Sequence, residues 1–132
     1  MSENIKKNEL NSLLEKKYIN LTTYRKNGEG VDTPVLFSEK DGKLYVETQA
    51  SRYKVVRIIN NPKVQYAPCA ARGEVQGPVM EGTARVLSKS EKEIAITTLR
   101  KKYFRLRLLD KFKSKKKKDK DVHLEITPGI RK

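Results

Sequence analysis

One stretch decides the fold: VDTPVLFSEKDGKLYVET, residues 31–48. Apolar and polar side chains alternate on both sides of Lys40-Asp41-Gly42, a sequence typical of a tight turn. The pattern predicts a β-hairpin with strands at residues 31–38 and 44–48. Because Pro34 lies inside the first strand and has no N–H to donate, we expect the hydrogen-bond ladder to be open there.

The same criteria apply along the chain in both directions. They predict four further strands, at residues 18–24, 63–69, 79–87 and 122–126, and three helices, at residues 8–17, 52–60 and 90–112. Five strands within the first ninety residues, mostly joined by tight turns, indicate an antiparallel sheet that curls into a small barrel. We therefore expect a mainly β protein with flanking helices, in which helix 52–60 caps the barrel opening.

Four local expectations follow from the pattern. Helix 52–60 should bury Val55, Ile58 and Ile59 on one face. Ser90 and Glu93 have the spacing of a capping box, which places Ser90 at the N-cap of the next helix. His123 should point outward from the last strand and lie on the surface. Cys69 should be a small apolar residue of the barrel.

The charge is strongly positive but unevenly placed. The chain has 132 residues with 30 Lys and Arg against 16 Asp and Glu, a net charge of +14. Residues 100–120 hold 12 basic and two acidic side chains, whereas residues 1–99 have a net charge of +4. The basic segment indicates either a nucleic-acid-binding patch or a solvated helix followed by a Lys-rich loop.

The composition excludes several kinds of site and structure. A single cysteine excludes an internal disulfide and a metal site built from several cysteines. No apolar run approaches the roughly 18 residues of a membrane span, and the N-terminal residues lack the apolar stretch of a signal peptide. We expect a cytoplasmic protein that does not insert into membranes. The apolar share of 36% suggests a small core or one shared in a dimer.

Helix 52–60 begins with an unfavourable charge. Arg52 and Lys54 lie in its first turn, where each cation costs about 0.3–1 kcal/mol. Arg57 follows one turn after Lys54, so both should project from one side of the helix, away from its apolar face. Free N–H groups at a helix start, the Ser51 hydroxyl and these cations together form an anion site, to which Thr48 adds a second hydroxyl. The sequence therefore predicts a phosphate site. The alternative is a short surface helix with solvated basic side chains.

Several segments, in this order, resemble the pyridoxamine 5'-phosphate oxidase-like split-barrel family. They are TPVLF, LYVET and KVVRIINNP, at residues 33–37, 44–48 and 54–62. Others look like the deazaflavin-dependent branch of that family: APCAARG, EGTARV and LEITP, at residues 67–73, 81–86 and 124–128. The resemblance runs over about residues 18–87, and a length of 132 residues suits a single domain over residues 1–132, with the basic helix and loop at 100–120. The fold that the resemblance implies is a six-stranded antiparallel split β-barrel of Greek-key type that forms a homodimer.

The resemblance also implies a cofactor and a site. The cofactor would be FMN or the deazaflavin coenzyme F-420, and the activity would be hydride transfer to or from a small organic substrate. Residues matching the phosphate site are Thr48 and Lys54, with Ser51, Arg52 and Arg57 in the same loop and helix. Residues matching the strand beside the ring are Thr33, Pro34 and Val35. No catalytic side chain and no metal ligand is implied, because the cofactor carries the hydride.

Two other functions remain open from the sequence. One is a cofactor-binding or carrier protein without turnover. The other is a small barrel that binds nucleic acid through residues 100–120, although its strands lack the set of exposed aromatic residues on which bases stack. Tyr24 and Tyr53 are candidates to line a substrate pocket, or else to pack in the core or at its rim.

Overall fold

A computed structural model describes residues 17–49, 53–103 and 121–129. These residues form six strands and two helices: β1 (Tyr18–Tyr24), β2 (Gly30–Lys40), β3 (Lys43–Gln49), α1 (Tyr53–Asn60), β4 (Lys63–Cys69), β5 (Met80–Val86), α2 (Lys92–Lys102) and β6 (Asp121–Pro128). The predicted first helix, apart from Lys17, and the basic segment beyond residue 103 lie outside the described residues. Neither α1 nor α2 is long and apolar enough to cross a membrane.

The six strands form a closed antiparallel barrel. Their order is β1-β2-β3-β6-β5-β4, and β4 pairs with β1 to close it. The expected mainly β, six-stranded antiparallel barrel is therefore confirmed. Sequence-adjacent strands pair through hairpins at β1–β2, β2–β3 and β4–β5, whereas β3–β6 and β1–β4 are long-range pairings.

The β1–β2 and β2–β3 hairpins have tight turns at the positions that the sequence predicted. Asp41 and Gly42 have φ values of 55° and 83°, so both lie in the left-handed region that a two-residue hairpin turn requires. Lys40 and Lys43 pair directly across this turn. In the β1–β2 hairpin, Gly28 has a φ of 91° and the Arg25 N–H donates to the Glu29 carbonyl at 2.9 Å.

The barrel interior is filled by alternate side chains of all six strands. These include the fully buried Ile19, Leu21, Phe37, Leu44, Val46, Leu124 and Ile126. On β5, Gly82 faces this core opposite Val64. A methyl group at Gly82 would lie 2.6 Å from the Thr127 carbonyl oxygen and 3.3 Å from the Tyr66 ring, so the barrel requires a glycine there.

Helix α1 packs on β1 and β5 through part of its predicted apolar face. Val55 and Ile58 are buried as predicted, and Ile58 belongs to the barrel core. Ile59 was predicted to be buried with them, but it is 68% exposed. The third buried side chain of the helix is Lys54. Because each residue turns the helix by about 100°, a face centred between Lys54 and Val55 places Ile59 about 90° from its centre, at the flank of the helix.

Helix α2 covers the outer face of β2, β3 and β6. Tyr45, Leu87 and Ala95 form a second apolar cluster beneath it. Glu125, also buried there, accepts a hydrogen bond from the Tyr45 hydroxyl at 3.2 Å. Burial and the Glu125 charge raise the pKa of Tyr45.

The start of α2 differs from the predicted capping box. Its N-cap is Glu91 rather than Ser90. The Glu91 carboxylate accepts the Ser88 N–H at 2.9 Å and both its oxygens lie 3.0 Å from Arg85 Nη1, which lowers its pKa. Arg85 also donates from Nε to Glu125 at 2.9 Å. The helix thus begins one residue later than the capping box predicts.

The end of α2 is fixed to β2. The Tyr103 hydroxyl lies within hydrogen-bond distance of the Phe37 and Lys17 carbonyl oxygens. The Lys102 ammonium lies 3.7 Å from the centroid of the Phe37 ring, a cation–π contact. Burial lowers the pKa of Lys102 to about 8. Both ends of α2 are therefore held by polar contacts that the helical pattern does not predict.

We expect Gly82→Ala to destabilise the barrel by about 1–3 kcal/mol, because the added methyl group overlaps a backbone carbonyl that cannot move without shifting β6. Urea unfolding followed by circular dichroism measures the change. Thr83→Ala, on the exposed face of the same strand, is the control and should change stability by less than about 0.5 kcal/mol. Equal stability of the two variants would contradict the described β5–β6 register.

Candidate functional site

The barrel is split where β3 leaves β2. The β2–β3 ladder runs from Lys40–Lys43 to Phe37–Val46 and ends there, although β2 reaches back to Gly30 and β3 continues to Gln49. Beyond Val46, the strand that pairs with β3 among the described residues is β6, as far as Gln49 and Asp121. One edge of β2 is therefore not paired with β3 over residues 30–36.

Pro34 lies on that edge in an orientation that explains its presence. The Phe37 N–H donates to the Lys17 carbonyl, so residues 33, 35 and 37 direct their backbone groups towards β1. Pro34 and Leu36 direct theirs towards the open side. The missing N–H of Pro34 thus costs the β1–β2 ladder nothing, and the expectation of an open ladder there is confirmed.

The three residues predicted to lie beside the cofactor ring differ in their exposure to solvent. Val35 packs into the barrel core, Thr33 is half-buried, and Pro34 is exposed. Pro34 also approaches the β4–β5 connection, since a Cβ placed on Gly73 would lie 3.9 Å from its ring. The groups accessible at this edge are therefore the Pro34 side chain and the backbone groups of β2 that point away from β1.

Thr48 and Lys54 meet at the end of β3. The Lys54 ammonium donates to the Thr48 hydroxyl at 3.2 Å, and Lys54 is only 7% exposed. The sequence placed Lys54 away from the apolar face of its helix, and that was wrong: Lys54 shares the buried face with Val55 and Ile58. Extending the β2–β3 register would set Thr48 opposite Val35, so this pair borders the split between the strands.

The other predicted phosphate ligands are not all brought to this pair. Ser51 and Arg52 lie outside the described residues. Arg57 donates from Nε to the buried Thr23 hydroxyl at 2.7 Å, on β1 rather than β3. Burial, and then the nearby charge of Arg25, lower the pKa of Arg57. The first turn of α1 contains no acidic residue, in keeping with the predicted charge pattern.

Arg57 faces a groove of about 700 Å³ between α1 and the β1–β2 hairpin. Its lining combines cationic and aromatic side chains: Tyr24, Arg25, Lys26, Tyr53, Val56 and Arg57, with Asn60 and Asn61. Tyr24 and Tyr53 therefore both border this open groove, and neither is packed in the core. This groove was not itself predicted, because the sequence does not show that the β1–β2 hairpin lies beside α1.

His123 was predicted to lie on the surface, and that was wrong. It does point outward from β6, but it is only 3% exposed. Its Nε2 lies 3.9 Å from Glu47 Oε1, on the paired position of β3. The outward-facing Tyr45 and Glu125 near it are buried too, whereas Glu47 on the same face stays exposed, so the outer face is covered only in part.

Cys69 is buried at the end of β4, as predicted, and burial raises the pKa of its thiol. A thiol with a raised pKa and no access is a poor nucleophile. Within the described ranges, no three His, Cys, Asp or Glu side chains come together as a metal site requires. The described residues thus contain a shielded thiol and no cluster of metal ligands.

No protein-family model matches the chain, and no curated protein does. Solved structures match it at low identity. A proposed pyridoxamine 5'-phosphate oxidase from Listeria innocua aligns with a TM-score of 0.60 and 16% identity, over 93% of each chain. An FAD-binding protein from Mesorhizobium loti has a TM-score of 0.61 and 15% identity, over 91% of this chain and 87% of that one.

HutZ, a heme storage protein from Vibrio cholerae, aligns with a TM-score of 0.67 and 11% identity, over 94% of this chain and 90% of that one. At such identities the likeness shows the fold alone. The chain thus has a split-barrel fold shared by pyridoxamine 5'-phosphate oxidase-like and flavin-binding proteins and by a heme storage protein. None of these three structures is named for F-420.

We expect Cys69 to resist thiol reagents in the folded protein, because it is 3% exposed and its pKa is raised. Reaction with Ellman's reagent at pH 8 should be at least about a hundredfold slower in buffer than in 8 M urea, since it requires local opening. The chain's only cysteine makes the signal unambiguous. Rapid stoichiometric labelling of native protein would show that β4 is not packed as described.

Proposed function

We propose that the protein binds a phosphorylated flavin-type cofactor, FMN or the deazaflavin F-420, and acts as an oxidoreductase on a small organic substrate. The observation that carries the proposal is the buried Lys54 ammonium on the Thr48 hydroxyl, beside the split between β2 and β3. The split-barrel fold shared with flavin-binding proteins supports it.

The Thr48–Lys54 pair suits the phosphate of such a cofactor. A lysine is rarely buried unless an anion or polar partner stabilises its charge. Hydrogen bonds from an ammonium to phosphate oxygens are charge-assisted and stronger than neutral ones. The first turn of α1 has no carboxylate that would repel a phosphate. Ser51 and Arg52, between β3 and α1 in sequence, are the further ligands that the sequence predicts.

The open edge of β2 suits the ring. Pro34 and Leu36 direct their carbonyl groups, and Leu36 its N–H, away from β1. These groups match the donors and acceptors on the polar edge of a flavin-type ring. The exposed Pro34 side chain supplies an apolar surface beside it. This edge would orient the ring and exclude water from one of its sides.

The chemistry divides between cofactor and chain. When bound, a flavin or deazaflavin supplies the hydride acceptor and donor. The chain holds the phosphate through Lys54 and Thr48 and orients the ring along β2. We assign no proton donor, and a catalytic side chain is not needed for hydride transfer itself. A carrier without turnover would use the same contacts, and only a substrate screen with reduced cofactor separates the two.

The proposal includes a homodimer, because a chain with a small apolar share can complete its core against a second copy. Val75 and Val79, in the β4–β5 connection, are exposed apolar residues that a second copy could cover. Sedimentation equilibrium at micromolar concentration should give about twice the 15.2 kDa mass of the chain. A monomer at all concentrations would remove this part of the proposal.

We expect purified protein to bind FMN or F-420 with micromolar or better affinity, measured by quenching of cofactor fluorescence. Lys54→Met keeps the side-chain length but removes the charge, and should weaken binding by about tenfold or more through the lost charge-assisted bond. Lys63→Met, at an exposed lysine at the start of β4, is the matched control and should bind as the wild type does.

Two results would reject this proposal. One is the absence of saturable binding of either cofactor by the folded protein. The other is an unchanged dissociation constant for Lys54→Met. Oxidation of the reduced cofactor by a panel of quinones, nitro compounds and enoates then tests turnover, with Lys54→Met as the low-activity reference.

A further inference from the structure

The groove between α1 and the β1–β2 hairpin has an unbalanced charge. Among the described residues that line it, three are cations, Arg25, Lys26 and Arg57, and none is acidic. Arg25 pairs with Glu29 at 3.1 Å, but both side chains are more than half exposed, so that pair is weak. Within the described part of the chain, Arg57 contacts the Thr23 hydroxyl and no carboxylate. The groove therefore favours a negatively charged occupant.

Arg57 is held in place for such an occupant. Its Nε–H donates to the Thr23 hydroxyl at 2.7 Å, and Thr23 is buried in β1. A guanidinium fixed through Nε keeps its two terminal nitrogens available, and a planar fork of this kind binds carboxylate or phosphate through two bonds. Little side-chain entropy is then lost when a ligand arrives.

The same groove presents aromatic surface. Tyr53 is 79% exposed, which is unusual for a large aromatic side chain, and it lies one helical turn from Val56 on the groove side of α1. Tyr24, half-buried at the end of β1, borders the groove from the hairpin. A flat ligand would bury part of Tyr53 and Val56, which water covers otherwise. Tyr and Arg side chains together are typical of sites for planar anions.

We propose that this groove binds an aromatic phosphate or carboxylate, with Arg57 and Arg25 on the anionic group and Tyr53 and Tyr24 against the ring. The site is separate from the cofactor site described above: its cation is bound to Thr23 of β1, whereas Lys54 is bound to Thr48 of β3. It does not depend on which cofactor the protein uses, or on whether it uses one.

The test uses the full chain labelled with ¹⁵N and phenyl phosphate as the probe. We expect saturable shifts of the amides of residues 24–26 and 53–61, with a dissociation constant of about 1 mM or tighter. Arg57→Gln should weaken binding by about tenfold or more, and Tyr53→Ala by about three- to tenfold. Arg72→Gln, an exposed arginine of the β4–β5 connection, is the matched control and should leave binding unchanged.

Three comparisons keep the outcomes distinct. Lys54→Met should retain phenyl phosphate binding at the groove; if it abolishes binding and Arg57→Gln does not, the probe occupies the cofactor phosphate site and the proposal fails. Inorganic phosphate that binds as tightly as phenyl phosphate also overturns it, because the aromatic contacts then contribute nothing. The proposal also fails if a second copy of the chain covers the groove. In that case Tyr53→Ala would make the protein monomeric, and the variant would bind phenyl phosphate more tightly than the wild type.

Tyr53→Ala keeps the proposal falsifiable if Arg57→Gln does not fold, since Tyr53 is exposed and its loss costs little stability. An unchanged dissociation constant in the folded Tyr53→Ala protein would itself contradict the aromatic contact. Arg25→Gln, at another exposed position, should weaken phenyl phosphate binding without affecting FMN binding.

Discussion

The exchange of partners by β3 is the constraint on which the site depends. A strand edge inside a barrel must be paired, because unpaired backbone N–H and C=O groups are costly when buried. β3 meets this requirement by leaving β2 after Val46 and continuing beside β6. The barrel closes, but β2 keeps an open edge. Pro34 fits that edge because it has no N–H to leave unpaired, and Thr48 is carried to its border by the same exchange.

Local chemistry explains which parts of the fold the sequence predicts well. The Asp41-Gly42 turn needs two left-handed residues, and few residue types supply them, so the amino-acid sequence alone predicts the hairpin. β4 likewise begins after Asn61-Pro62, which ends α1, and it spans the predicted residues. Pairing of β3 with β6 is a different matter. It joins segments far apart in the chain, and alternation alone does not state which strands become neighbours.

The wrong expectations share one physical cause. Ile59, Ser90 and His123 were judged from the periodicity of their own element, but each environment is set by another. The position of α1 against β1 and β5 leaves Ile59 in solvent. At the start of α2, the N-cap is Glu91 rather than Ser90, and Glu91 contacts Arg85 of β5. His123 follows strand alternation correctly, yet the outer face of its strand is covered at that position. Periodicity predicts which way a side chain points from its helix or strand. Whether that side chain is buried depends on which other element packs against that side.

The positions of the charged residues are more informative about the candidate sites than the net charge of the chain. Most of the +14 excess lies at residues 100–120, largely outside the described residues, while two single cations on α1 define the candidate sites. Lys54 reaches β3 and Arg57 reaches β1 from one eight-residue helix. That helix is fixed to the core through Val55 and Ile58. Because so short a helix moves as a unit, any displacement that reorients Lys54 at the β2–β3 split must also shift Arg57 in the groove.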